Sequence, residues 1–150
     1  LIDYLIDNTL TSESIHIIGS GLVGAMLANV LGKEGYNITL SEKRADPTQN
    51  SGERGRSINL ALSTRGWNAL SHIGIADEVR QYALPMYSRM IHDITGKTYS
   101  QPYSQSGEAI YSVSRHLLNI SLIKCLKRFE NVNLEFEKKV VAVQLYDNTV

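Results

Sequence analysis

One cysteine, Cys125, stands in the whole 150-residue sequence, so the chain can form neither an internal disulfide nor a cysteine-rich metal site, a usage that fits a reducing compartment. Neither charge is in surplus. Fifteen Lys and Arg against fifteen Asp and Glu give a formal net charge of zero, which excludes a general attraction for nucleic acid or an anionic membrane surface. Any anion must be bound locally. No apolar run approaches the ~20 residues needed to cross a bilayer, and no stretch has the basic start, apolar middle and small-residue cleavage site of a signal peptide. The four histidines, His16, His72, His92 and His116, are dispersed without ligand spacing and read as structural. Internal repeats and low-complexity segments are lacking too. Asn37-Ile38-Thr39 and Asn119-Ile120-Ser121 match the glycosylation triplet, but matches this short arise by chance.

What is present, 43% hydrophobic and 20% charged residues, is the balance of an ordinary globular domain with one core. The chain opens on Leu1 and stops at Asp147-Asn148-Thr149-Val150, which looks like a hairpin turn with the first residues of its return. A fragment of a longer protein is the expectation. After a lead-in over 1–14, Ile15-His16-Ile17-Ile18 is a short apolar run ending in glycine, as a buried parallel strand would be. From Leu22 to Lys33 the apolar residues Leu22, Val23, Met26, Leu27, Val30 and Leu31 recur at spacings of three and four, and Gly35 stands where a helix would stop. Ile38-Thr39-Leu40 is the second strand, and strand, glycine turn, helix and strand make a βαβ crossover with parallel strands.

Pro47 to Gly55 reads as a loop, followed by an alternating strand from Ser57 to Leu62. Ser63 is placed to cap a helix carrying Trp67, Leu70 and Ile73 and stopped by Gly74, with a second short helix around Ala76 to Tyr82. An antiparallel excursion spans about 85–113, with strands at Arg89 to Ile94 and Tyr99 to Tyr103 around a turn at Thr95-Gly96. Ala109 to Val113 is a further strand. Ser114 then caps a helix with Leu118, Leu122, Cys125, Leu126 and Phe129 on one face. Val132, Leu134 and Phe136 alternate with polar residues, and Val140 to Val143 is an apolar strand.

Gly19-Ser20-Gly21-Leu22-Val23-Gly24 has the pattern G-x-G-x-x-G. Its first glycine permits the turn out of the strand, its second lets backbone approach a pyrophosphate, and its third lets helix and strand pack closely. The anion would sit on N–H groups at the positive end of the helix. A lone hexapeptide of this kind is weak, but here a strand precedes it, a helix follows, and Glu42 ends the second strand eighteen residues after Gly24. A carboxylate at that point accepts the adenosine ribose hydroxyls and so favours NAD or FAD over NADP at this site. The alternative is a structural glycine turn with Glu42 as a surface charge.

Longer segments resemble the kynurenine 3-monooxygenases. Gly55-Arg56-Ser57-Ile58-Asn59-Leu60-Ala61-Leu62-Ser63 is similar to the stretch after their second strand. Met86-Tyr87-Ser88-Arg89-Met90-Ile91-His92, Gln101-Pro102-Tyr103 and Ser112-Val113-Ser114-Arg115 continue the likeness in order, over about 15–143. These motifs are not shared by other flavin hydroxylases. The resemblance implies a mixed α/β fold, a Rossmann-like FAD-binding βαβ domain with an antiparallel strand excursion, truncated, in which 15–150 is the N-terminal part of the FAD domain. It also implies an enzyme that binds FAD and uses NADPH and O2 to hydroxylate L-kynurenine to 3-hydroxykynurenine, in the kynurenine pathway of tryptophan catabolism.

By position, the resemblance puts Gly19, Gly21, Val23 and Gly24 at the pyrophosphate, Glu42 and Arg44 at the adenosine ribose, and Ala61 and Arg115 at the flavin half. Val140 faces the adenine, through backbone groups. Arg89 and Tyr103, fourteen residues apart, match an arginine and a tyrosine that hold the substrate carboxylate in the family. The planar fork of an arginine suits a carboxylate, although a surface salt bridge would also account for Arg89. Arg115 in a first helical turn opposes the dipole, which points to a bound anion or to a neighbouring Glu. Tyr87 departs from the family, which often has a basic residue there. Arg54 and Arg56 lie in the glycine-rich loop, where solvated charges are common. No catalytic acid, base or metal is implied, and no nucleic acid. Membrane contact is implied only through a C-terminal part outside these residues, at the mitochondrial outer membrane in eukaryotic members, with cytoplasmic bacterial ones. The rivals are an NAD-dependent dehydrogenase built on the same fingerprint, and a truncated chain that keeps the fold without holding flavin.

Overall fold

The elements of the computed structural model run β1 (Ser14–Ile18), α1 (Leu22–Lys33), β2 (Asn37–Ser41), β3 (Asn59–Leu62), α2 (Thr64–His72), α3 (Ala76–Arg80), β4 (Leu84–Met86), β5 (Ser88–His92), β6 (Thr98–Pro102), β7 (Ile110–Ser114), α4 (Arg115–Leu126) and β8 (Val132–Glu135). It describes residues 14–49 and 58–143. Most of the lead-in, the loop segment with Arg54 and Arg56, the start of the Gly55–Ser63 motif and the terminal hairpin lie outside the described residues. The chain divides into two compact units, Leu1–Glu53 with Asn119–Val150, and Arg54–Leu118, the boundary falling within α4.

In the first unit β1 and β2 are parallel, Ile15 beside Ile38 and Ile17 beside Leu40, as the crossover requires. The order β1-β2-β8 is completed by β8, parallel to β2 with Leu40 beside Leu134. The residues of α1 that are buried are Ala25, Ala28, Asn29 and Gly32, not the larger apolar set expected from periodicity; Val23 is 84% exposed and Leu27 47%. The cause is closeness. A Cβ added at Gly32 would stand 2.8 Å from Val132 Cγ2, so only small side chains fit between this helix and the sheet. Asn29 uses its burial to tie helices together, its Nδ2 donating to the carbonyls of Ala25 at 2.8 Å and Leu122 at 3.0 Å.

The helix stops as the sequence implies. Gly35 adopts φ +91°, its N–H donates to Gly32 O, and the Tyr36 N–H reaches back to Leu31 O, the double bond of a Schellman ending. From α4 onward Leu122, Ile123, Cys125 and Leu126 are buried, so the thiol is a core group. Beyond β8, residues 140–143 are not a strand. Val141 is 86% exposed, and among the described residues no strand pairs with this run to hold it extended.

In the second unit β7 lies between β3 and β4 and is antiparallel to both. In the same unit α2 buries Trp67 and Leu70. Trp67 meets Tyr111 edge to face at 5.2 Å, and the Arg80 guanidinium stands 4.4 Å over the indole. Ser63 occupies the N-cap of α2, but its side chain makes no capping bond, so the cap is backbone only. Ser114 does cap α4, its Oγ accepting the Leu117 N–H at 3.4 Å, a long bond. At the far end of α2, Gly74 at φ +80° closes a second Schellman pair over buried Leu70 and Ile75. The excursion carries a two-stranded ribbon, β5 antiparallel to β6.

Candidate functional site

The first cluster forms where β1 gives way to α1. Gly19, at φ +96°, turns the chain, and its N–H donates to Ser41 O at 2.7 Å, which ties the turn to the end of β2. Gly21 is the extended N-cap of α1 and, with no acidic residue in the first turn, leaves that positive helix end without a counter-charge from its own turn. The three glycines differ in what they tolerate. A Cβ on Gly24 would stand 2.0 Å from Gly19 O, whereas one on Gly21 would meet nothing within 4 Å. Packing therefore explains the small residue at Gly24 and not at Gly21, whose backbone is open to approach from outside.

Glu42 closes the cluster. Its Oε2 accepts the Ser20 N–H at 3.0 Å and the Ser20 hydroxyl at 3.3 Å, while Oε1 accepts the Arg44 N–H at 3.0 Å and lies 3.5 Å from Arg44 Nε. Burial pushes this carboxyl up, but the Arg44 and Ser20 N–H groups, the Arg44 charge and the Ser20 hydroxyl together outweigh it and hold it below the ordinary glutamate value. A carboxyl lowered in the fold lends stability that is full above its unfolded pKa of ~4.3 and is lost as pH falls through the lower folded value. Glu42→Gln is accordingly expected to be less stable by about 1–3 kcal/mol near neutrality, and to lose less stability than the parent on acidification below about pH 4. Urea denaturation over a pH series checks both; parallel pH curves would remove Glu42 as the cause.

Around this cluster, the Glu137 N–H donates to Arg44 O at 3.0 Å and the Lys138 N–H to Glu42 O at 2.9 Å, so half-buried Val140 follows two residues after that junction. Lys127 Nζ bonds Asp46 Oδ2 at 2.5 Å and Thr48 Oγ1 at 2.6 Å, anchoring the loop after β2 to the residue that follows α4. His16 is a structural link: its Nε2 pairs with Ser41 Oγ at 2.8 Å, which in turn donates to Glu135 Oε2 at 3.2 Å. Among the described residues no group of His, Cys, Asp and Glu could hold a metal ion, and no helix is long and apolar enough to cross a membrane.

In the second unit Ala61 lies exposed on β3 opposite Ser112, and Asn59 lies opposite Ser114. Arg115 follows directly, its N–H donating to Ile58 O, with its side chain exposed. Ala61 thus lies within the β3–β7 strand pair, and Arg115 lies just past its Asn59–Ser114 end. None of the ion pairs among the described residues involves Arg115, so no glutamate among those residues is its partner. On the ribbon Arg89 pairs with Gln101, and the Tyr103 N–H donates to Tyr87 O at 3.0 Å, continuing the ladder one residue past β6. Paired residues share a face and alternate residues return to it. Tyr87, Arg89, Gln101 and Tyr103 therefore lie on one face, with Tyr103 41% exposed. Gln101 Oε1 accepts Arg89 Nε–H at 2.8 Å, leaving the two terminal NH2 groups of the fork for another partner.

Ser20, Asn119 and Gln101 fall within motifs of the sequence, but no pattern there assigns their side chains a role at the site. Asn119 Nδ2 donates to Ser20 O at 2.8 Å across 99 residues of chain, a contact that no local pattern announces.

Residues 12–150 match the FAD-binding domain family. Among curated proteins the chain is 44% identical over 133 residues to the kynurenine 3-monooxygenase of Christiangramia forsetii, covering 89% of this chain and 29% of that one. It is 45% identical over 136 residues to the Candida albicans enzyme of the same name, covering 87% and 30%, and 43% over 141 residues to the Saccharomyces cerevisiae one, covering 91% and 30%. The chain thus spans under a third of the length of these relatives. Among solved structures, p-nitrophenol 4-monooxygenase of Pseudomonas putida superposes with a TM-score of 0.70 at 18% identity, over 88% of this chain and 34% of its own. 2-Methyl-3-hydroxypyridine-5-carboxylic acid oxygenase gives 0.71 at 19%, over 87% and 33%. At such identities these two speak for the fold alone. With its glycine turn, the glutamate that closes it and a mixed α/β fold shared with flavin monooxygenases, the chain belongs to the FAD-binding domain family, and along this stretch it is similar to the kynurenine 3-monooxygenases.

Proposed function

We propose that this chain is the N-terminal part of an FAD-dependent, NADPH-using monooxygenase that hydroxylates L-kynurenine to 3-hydroxykynurenine. The observation that carries the proposal is the 42–45% identity to enzymes of that name over about nine-tenths of the chain, which spans both the glycine turn and the ribbon. FAD, when bound, supplies the redox chemistry that joins NADPH oxidation to transfer of one oxygen atom onto the aromatic ring.

The tasks of the chain are placement and exclusion of water. Gly19, Gly21, Val23 and Gly24 receive the pyrophosphate, and Glu42 with Arg44 the ribose. Val140 meets the adenine through its backbone, while Ala61 and Arg115 serve the flavin half. Arg89 and Tyr103 hold the substrate carboxylate: the fork of Arg89 supplies paired N–H donors, and the Tyr103 hydroxyl on the same ribbon face adds a third. The excursion over 85–113 is then the beginning of a substrate domain. In a eukaryotic source, attachment to the cytosolic face of the mitochondrial outer membrane rests on a segment outside these 150 residues; in a bacterial source the enzyme is cytoplasmic.

The test is made on the purified full-length protein. A yellow, flavin-absorbing protein that consumes NADPH when given L-kynurenine and yields 3-hydroxykynurenine is the expected result. A colourless protein that reduces NAD with another substrate would establish the dehydrogenase instead.

A further inference from the structure

Ser20 is held on three sides. Its N–H and hydroxyl donate to Glu42 Oε2, and its carbonyl accepts from Asn119 Nδ2 on α4 at 2.8 Å. The Ser20–Gly21 peptide is trans, so its carbonyl and the Gly21 N–H point in opposite directions. By drawing the carbonyl toward itself, Asn119 turns the Gly21 N–H away, at a residue whose Cβ direction is clear of any atom within 4 Å. Without such a hold the peptide could rotate as a unit at little cost, because glycine accepts positive φ as readily as negative. The rotated peptide would present a carbonyl oxygen, which repels an anion, where the N–H had attracted one.

We propose that Asn119 is a positioning residue for the dinucleotide pyrophosphate, locking the Ser20–Gly21 peptide with its N–H toward the phosphate oxygens. This rests on the reading of the glycine turn as the FAD pyrophosphate seat. Asn119 touches no part of the ligand; it acts through Ser20. The uncharged amide suits the task, since it donates to a carbonyl without adding a charge of its own beside the phosphates.

The test uses flavin-stripped full-length protein, titrated directly with FAD, ADP and adenosine. Asn119→Leu keeps the branching at Cγ, is somewhat larger and loses the donor; Asn119→Ala, favourable in a helix, serves if leucine disturbs packing. The expected result is that FAD and ADP dissociation constants rise about three- to tenfold, while that of adenosine, which has no phosphate, changes less than twofold. A common loss for all three ligands in both variants means general loosening of the unit and overturns the proposal, as does no change for any. Gly21→Val separates this from the underlying reading. If it leaves FAD and ADP affinity intact, the turn is not the pyrophosphate seat and both fall; if it abolishes binding while the Asn119 variants bind normally, only the role of Asn119 falls.

Discussion

Gly24→Ala is expected to destabilise the protein by at least about 3 kcal/mol, at the upper end of what overpacking costs, whereas Gly21→Ala changes stability by less than about 0.5 kcal/mol. Both substitutions add one methyl group to the same turn. On Gly24 that methyl would stand 2.0 Å from Gly19 O, 3.2 Å from Gly19 C and 3.3 Å from Ile17 Cγ2. Backbone cannot swing aside as a flexible side chain does. Either α1 lifts from β1, opening the layer that Ala25, Ala28 and Gly32 fill, or the Gly19 carbonyl rotates and strains the turn that bonds Ser41 O. Gly21 has φ −63°, open to any L-residue, and free space around its Cβ position. Its methyl would intrude only on a ligand, so Gly21→Ala should melt like the parent and bind ADP and FAD more weakly. Denaturant unfolding and ligand titration on the two variants check the contrast. Equal stabilities would mean that close helix–strand approach is not what Gly24 provides.

That contrast marks what could be read from the sequence. The spacing of Gly19, Gly21 and Gly24 between an apolar run and a helical period located the turn, and Glu42 followed at the expected distance because a βαβ unit fixes how far the second strand end lies from the first. The buried face of α1 was not legible. Periodicity ranks residues by size and apolarity, so it favoured Val23 and Leu27, but close packing against the sheet selects the small Ala25, Ala28 and Gly32 and leaves the larger pair outside. Asn119 was invisible for another reason. A side chain bonding a carbonyl across 99 residues leaves no trace in local pattern.

The ribbon shows the same limit in one residue of register. A two-residue turn at Thr95-Gly96 would place Arg89 opposite Pro102, with Tyr103 on the other face. The actual loop has three residues. Asp93 Oδ1 accepts the N–H groups of Thr95 and Lys97 and the Thr95 hydroxyl, Gly96 takes φ +83°, and the Asp93 N–H pairs with Lys97 O. The pairing therefore becomes Arg89 with Gln101, and Tyr103 comes round to the face of Arg89. The carboxylate of Asp93, unremarked in the sequence, sets that register.

With that register Arg89→Ala in the full-length enzyme should raise the KM for L-kynurenine by roughly ten- to a hundredfold, the effect of removing a charge-assisted contact worth about 1.5–3 kcal/mol, and leave the bound FAD in place. Arg89 is exposed on the ribbon, where its Nε–H donates to Gln101 Oε1. Its removal therefore breaks no buried ion pair, and folding is expected to be nearly unaffected. Arg89→Lys keeps the charge but not the planar fork, so it should recover only part of the lost affinity. Tyr103→Phe, which removes one neutral hydroxyl and leaves the ring, should raise KM by no more than about tenfold. An ordered series, parent, Tyr103→Phe, Arg89→Lys, Arg89→Ala, with unchanged flavin content throughout, is what a carboxylate clamp on one ribbon face requires. Unchanged kynurenine kinetics in Arg89→Ala would return this arginine to the solvated surface, and the substrate carboxylate would have to be held elsewhere.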